Sequence, residues 1–189
     1  MLIDAQSTMR QYYINGGLGV IISGLVWCFA GAVTALSGFQ SGIISFFFGG
    51  MLIHPMSVVI ARRINPSAPA PDKKLTQLSL FTLPILFGGL YLAYTVSIGN
   101  HALFYPVMAA VIGGRYLVFT RIYGLKAFTA LGIILTLTGC AAYFMALPFV
   151  AVPLLVGIIE LLFGGWLTAS FLSARNAAHS RAESLTISA

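Results

Sequence analysis

Charge is the scarcest ingredient of this chain. Only 7% of its residues are Asp, Glu, Lys or Arg, and just four are acidic, whereas a soluble domain carries about 25% charged residues. So little charge cannot cover a water-facing surface, which excludes a soluble globular fold. Cysteine is nearly missing as well. Cys28 and Cys140 fall in apolar stretches, outside any CxxC or other ligand spacing, so free thiols are expected, with no disulfide and no zinc. HExxH, GxSxG and P-loop motifs are absent, as are histidines paired at haem-ligating spacing. No metal and no cofactor are therefore expected, and no standard nucleophile constellation supports an enzyme. The net charge is +6, but no basic stripe interleaved with aromatics accompanies it, and a nucleic-acid partner is set aside. The opening MLIDAQSTMRQYYINGG does not read as a signal peptide, because its apolar segment begins only near Gly16 and no small-residue cleavage site follows.

What the chain has instead is oil. Hydrophobic residues make up 59% of its 189 positions, and the mean hydropathy is +0.96. The lipid bilayer is the natural solvent. A spanning helix needs ~20 apolar residues, and the pattern predicts an all-α, polytopic membrane helical bundle of six transmembrane helices in one domain. The spans run about Gly17 to Leu36, Gly42 to Ala61, Leu78 to Ser97, Leu103 to Thr120, Phe128 to Leu147 and Pro153 to Leu172. Residues 1–15 fit either a short interfacial helix or a frayed tail. The segment RRINPSAPAPDKKLTQ, residues 62–77, is the one substantial loop, extended and flanked by Arg62, Arg63, Lys73 and Lys74. With both termini cytoplasmic, nine of the ten basic residues fall on the inner side and the outer turns carry none, as the positive-inside rule requires.

Small residues recur at helical spacing. Gly17, Gly24, Cys28, Gly31 and Ala35 form one stripe, and such stripes let backbones approach closely in lipid. Gly49-Gly50, Gly113-Gly114 and Gly164-Gly165 align as SFFFGGMLIHPMSV, MAAVIGGRYLVFTR and IELLFGGWLTASFL. These six glycines are expected to pack helices, and their recurrence suggests an internal repeat of three hairpins. The competing reading is that glycine is simply frequent, at 20 residues.

One carboxylate stands inside an otherwise apolar helix. Glu160 lies ~12 Å from the outer end of its span and ~20 Å from the inner basic tail, too deep for its side chain to reach water. A charge at that depth costs on the order of 3 kcal/mol or more, and when one persists it usually faces a bundle interior or a wet cavity. Arg115 is its natural partner, pointing inward at Glu160 or at an anionic ligand through its bidentate fork, unless it snorkels toward Arg121 and the surface. His54-Pro55 is the third feature: the proline frees a backbone carbonyl beside an imidazole. Glu160, Arg115 and His54 together form a candidate ligand or proton site. Trp27, Tyr91, Tyr94, Tyr116, Tyr143 and Trp166 are candidate pocket-lining aromatics, with lipid-facing positions as the plain alternative.

Size, three hairpins, glycine-rich even-numbered spans and the FGG and IGG motifs resemble small six-helix bacterial inner-membrane proteins of uncharacterised families, including the three-hairpin acid-resistance membrane proteins. The resemblance implies a bacterial inner-membrane location and nothing about chemistry. The leading expectation is binding or translocation of a small solute, proton or ion at the intramembrane polar site. An intramembrane enzyme acting on a lipid-like substrate is the second, and a structural or stress-response protein with a dry core the third; a homo-oligomer stays open. A deep polar cavity points to the first and a lateral opening between helices to the second. A packed Glu160–Arg115 pair without a cavity points to the third.

Overall fold

The computed structural model describes residues 2–187, the side chains of His179 and of residues 181–187 excepted. Seven α-helices follow one another among these residues. They are α1 (Leu2–Tyr13), α2 (Gly17–Ser37), α3 (Phe39–Ile64), α4 (Lys73–Gly99), α5 (Phe104–Tyr123), α6 (Lys126–Phe144) and α7 (Ala151–Ile187). Among the described residues six helical stretches are long and apolar enough to cross a membrane, the first of them Leu2–Ser37, whose apolar part is α2. The chain is an integral membrane protein, and its outward Leu, Ile and Phe side chains suit a lipid surface.

Local chemistry sets the helix ends. Ile14, Asn15 and Gly16 all have positive φ (53°, 55° and 74°), so the chain turns sharply between α1 and α2. The left-handed region costs a residue with a Cβ ~1–2 kcal/mol. Here the turn lets α1 fold back against α2, α3, α4 and α5. There α1 ties down the end of α5: Gln6 Nε2 donates to the Arg121 carbonyl (2.9 Å) and Arg10 Nη1 to the Tyr123 carbonyl (2.8 Å). Of the first fifteen residues, Leu2–Tyr13 thus form a docked helix rather than a frayed tail. The fourth helix starts at Lys73, earlier than its apolar run, because the Asp72 carboxylate accepts from the Leu75 N–H (2.9 Å) and caps it. The sixth ends at Phe144, short of the expected Leu147, where Ala146 takes a positive φ of 48° and Pro148 follows. The seventh runs past its apolar stretch, and Arg175 Nη1 donates to the Ile64 carbonyl (2.9 Å), binding it to the end of α3.

The packing is not a plain series of three hairpins. The most extensive contacts are α2 against α7 and α5 against α6, while α6 and α7 touch much less. Glycines explain both close pairs. A Cβ added at Gly24 would meet the Gly157 carbonyl at 2.7 Å, and one at Gly157 would meet the Gly24 carbonyl at 2.8 Å. Gly17 and Gly164 oppose each other in the same reciprocal way, a Cβ added at either falling 2.8 Å from the other's carbonyl. Between α5 and α6, a Cβ added at Gly113 or at Gly132 would stand 2.6 Å from the other's carbonyl, and one at Gly139 would stand 2.5 Å from the Pro106 carbonyl. Backbone contact of this kind maximises dispersion where lipid gives no hydrophobic drive between helices.

The three glycine pairs share one asymmetry. The first of each pair is a contact residue: a Cβ added at Gly49 would meet the Val26 side chain at 2.8 Å, one at Gly113 would meet α6, and one at Gly164 would meet α2. At Gly50, Gly114 and Gly165 an added Cβ would meet nothing within 4 Å. Adjacent helix positions lie ~100° apart, so only one member of a pair can face a given neighbour.

Candidate functional site

A cavity of about 450 Å³ lies between α3 and α4, with α2 and α5 behind it, inside the ~300–1,000 Å³ range of ligand pockets. The flanking helices are consecutive in sequence yet make at most marginal contact with each other. Each packs instead on its other neighbour, α3 on α2 and α4 on α5. Pro55 and Pro84 both fall within these two helices and remove a backbone donor from each.

Arg115 projects from α5 into this cavity. Its Nε donates to Thr82 Oγ1 on α4 (3.0 Å), and its Cζ sits 5.1 Å from the centre of the Phe119 ring. Those contacts orient the guanidinium without neutralising it. Among the described residues it has no carboxylate partner. His54 lines the same cavity from α3, within electrostatic reach of Arg115, its ring 6.1 Å from that of Tyr13. One turn on, Ser57 Oγ donates to the His54 carbonyl (2.8 Å), supporting the helix where Pro55 interrupts it.

Glu160 is fully buried, on the far side of Tyr116 from the cavity. The Tyr116 hydroxyl donates to Glu160 Oε1 (2.8 Å), and Oε2 has no partner among the described residues. Ser23 of α2 lies beside both groups. Buried polar atoms are rarely left unpaired, so this carboxyl marks an unusual position. The partner of Glu160 is the Tyr116 phenol, while Arg115 turns to Thr82 and into the cavity. Arg115 acts on the carboxyl only through space, because adjacent residues on α5 point ~100° apart and Tyr116 is the one turned toward α7.

The structure thus brings Arg115 and His54 into one cavity, from different helices, and holds Glu160 one side chain behind its lining. Trp27 and Tyr116 line the cavity. Tyr94 instead borders a shallower recess at the opposite membrane end, beside Gln40, Ser97 and His101. Tyr91, Tyr143 and Trp166 face outward, at 73%, 51% and 58% exposure. Each stands about 100–200° around its helix from buried neighbours such as Ala93, Ala142 and Leu167. Thr82, Ser23 and Gly19 also belong to the site, though nothing in the sequence singles them out. Hydroxyls and glycines are common in membrane helices, and nothing local distinguishes these from the others.

The far end of the cavity is closed by aromatics. Trp27 packs on Phe46 (ring centres 4.6 Å apart) and on Tyr105 (5.9 Å), and Phe46 on Phe104 (6.1 Å). Met9 and Tyr13 of α1 close the near end.

Residues 2–170 match the profile of a family of unknown function (DUF7010). No curated protein and no solved structure matches the chain.

Proposed function

The chain belongs to that family, and from its membrane fold and its cavity we propose that it binds a small anionic solute within the bilayer. Arg115 is the anion-binding group, His54 flanks it, and the Tyr116–Glu160 pair adjoins as a place to hold a proton. The observation that carries this reading is the setting of Arg115. A guanidinium held by one threonine and one aromatic face, in a cavity and without a protein carboxylate, has its paired N–H groups left for a ligand. Arginine's planar fork suits carboxylate and phosphate, and low-dielectric surroundings strengthen the attraction.

The same reading sets orientation. Arg62, Arg63, Lys73, Lys74, Arg121 and Lys126 lie at helix ends on the Arg115 side of the membrane. By the positive-inside rule this end, with both termini, is cytoplasmic. The resemblance drawn from the sequence makes the membrane a bacterial inner membrane. Binding comes before translocation in this account, because the aromatic plug of Trp27, Phe46 and Tyr105 must move before a solute could cross.

The test is thermal unfolding of the purified protein in a neutral detergent with graded anions, from inorganic phosphate to dodecyl phosphate. At a concentration about a hundred times Kd a ligand of the native state adds ~2.7 kcal/mol. That corresponds to a rise of roughly 5–11 °C for a chain of this size. Arg115→Gln is expected to flatten the response. An equal rise in wild type and R115Q, or none for any anion, refutes the anion site.

A further inference from the structure

We infer that the anion taken by this site carries an apolar chain and enters from the bilayer, through the gap between α3 and α4. This rests on the anion site proposed above and adds the class of its ligand: a single-chain amphiphile with a phosphate or carboxylate head.

The cavity is elongated and graded. Along α4 its wall runs from Thr76 to Leu90, ~21 Å at the helical rise. Thr76 and Ser79 come first, then Leu83, Leu86 and Leu90. The other walls change in the same direction. On α3 the polar His54 and Ser57 give way to Phe47 and Phe46, and on α5 Arg115 and Tyr116 give way to Ile112 and Met108. One end therefore offers a cation and hydroxyls, and the rest offers apolar surface apart from the Trp27 indole N–H. A compact hydrophilic anion would satisfy Arg115 and leave most of the cavity filled with nothing it favours. An anion with a tail complements both ends.

Access points the same way. The route from water on the basic side is roofed by α1. Met9 and Tyr13 sit on the cavity, and the helix is pinned by Arg10 to the Tyr123 carbonyl and by Tyr12, whose hydroxyl accepts from Arg62 Nη2 (3.2 Å). The opposite end is shut by the aromatic plug. The remaining side is the seam where α3 and α4 fail to pack, and that seam faces lipid. Gly19 and Gly50, on the wall with open space around them, leave the groove wide enough for a chain.

The chain's two tryptophans make this measurable. Trp166 faces outward and Trp27 lines the cavity, so Trp166→Phe leaves Trp27 as the single reporter. This variant, in phosphatidylcholine nanodiscs, is titrated with dibrominated undecanoate, whose bromines quench a tryptophan on contact. Saturable quenching is expected, reversed by dodecyl phosphate and not by inorganic phosphate. Arg115→Gln should raise the half-quenching concentration at least tenfold, and Gly50→Leu, which fills the groove without touching the arginine, should do the same. Reversal by inorganic phosphate as effective as by dodecyl phosphate overturns the chain and leaves the anion site standing. If the neutral methyl ester quenches equally well and R115Q changes nothing, both fall. Quenching that never saturates and is the same in every variant, as for simple partitioning into lipid, also overturns both.

Discussion

Adjacent glycines on one helix should respond oppositely to the same substitution. At Gly164 an alanine Cβ would stand 2.7 Å from the Ile21 amide nitrogen and 2.8 Å from the Gly17 carbonyl. Both obstacles are backbone, so no side chain can swing away, and α2 and α7 must separate along their closest contact. Overpacking of this kind costs ~1–3 kcal/mol. At Gly165 the same methyl meets nothing within 4 Å. Both variants gain the ~1 kcal/mol by which alanine exceeds glycine in a helix, so that gain cancels in the comparison. What remains is the overpacking alone. With ~2–4 °C per kcal/mol for a chain of this size, G164A should melt roughly 2–12 °C below G165A. Circular dichroism on the two purified proteins in one detergent measures it. Gly113→Ala and Gly114→Ala, with the Gly132 carbonyl at 2.6 Å from the first and open space at the second, should repeat the contrast. Coincident melting curves within each pair would refute the close approach of these helices.

Four further outcomes follow from particular contacts. Glu160→Gln keeps an acceptor for Tyr116 and should cost under ~1 kcal/mol, whereas Glu160→Leu strands the phenol and should cost ~1–3 kcal/mol; equal losses by chemical denaturation would contradict the Tyr116 bond. Asn15 holds φ 55°, so Asn15→Val should lower stability by ~1–2 kcal/mol, while Asn15→Gly leaves it nearly unchanged, both read from the melting temperature. Gly50→Leu should retain wild-type stability, because open space surrounds it, yet lose the rise in melting temperature that dodecyl phosphate induces. Cysteines introduced at Ser67 and Asn100 should label from opposite sides of the membrane in intact cells and inverted vesicles, and labelling from one side would overturn the topology.

The helices were legible because their signals are local. Runs of ~20 apolar residues mark the six long helices, although α4 begins at Lys73, inside the stretch 62–77 expected to be an extended loop, because the capping role of Asp72 shows only once the helix is in place. The stripe of Gly17, Gly24 and Gly31 announced close packing, but not that its partner would be the last helix in the chain. Periodicity shows a face, not what lies opposite it. The site was legible only in part for the same reason. Glu160 and Arg115 stand out as ionisable groups in oil, and their residue types invite an ion pair. Whether they meet depends on the rotation of α5, which turns Tyr116 toward α7 and Arg115 toward Thr82 on α4. The gap between α3 and α4 is a matter of which helices fail to touch, and no residue in either one encodes that by itself.

The central claim is that Arg115 faces a ligand rather than a protein carboxylate. Cryo-electron microscopy of the protein in nanodiscs, bound to a rigid antibody fragment and supplied with dodecyl phosphate, tests it most directly. Density for an anionic head within hydrogen-bonding distance of the Arg115 guanidinium, with a tail running between α3 and α4, is the expected result. A guanidinium paired with Glu160, or reaching out to the aqueous boundary above an empty groove, would contradict it.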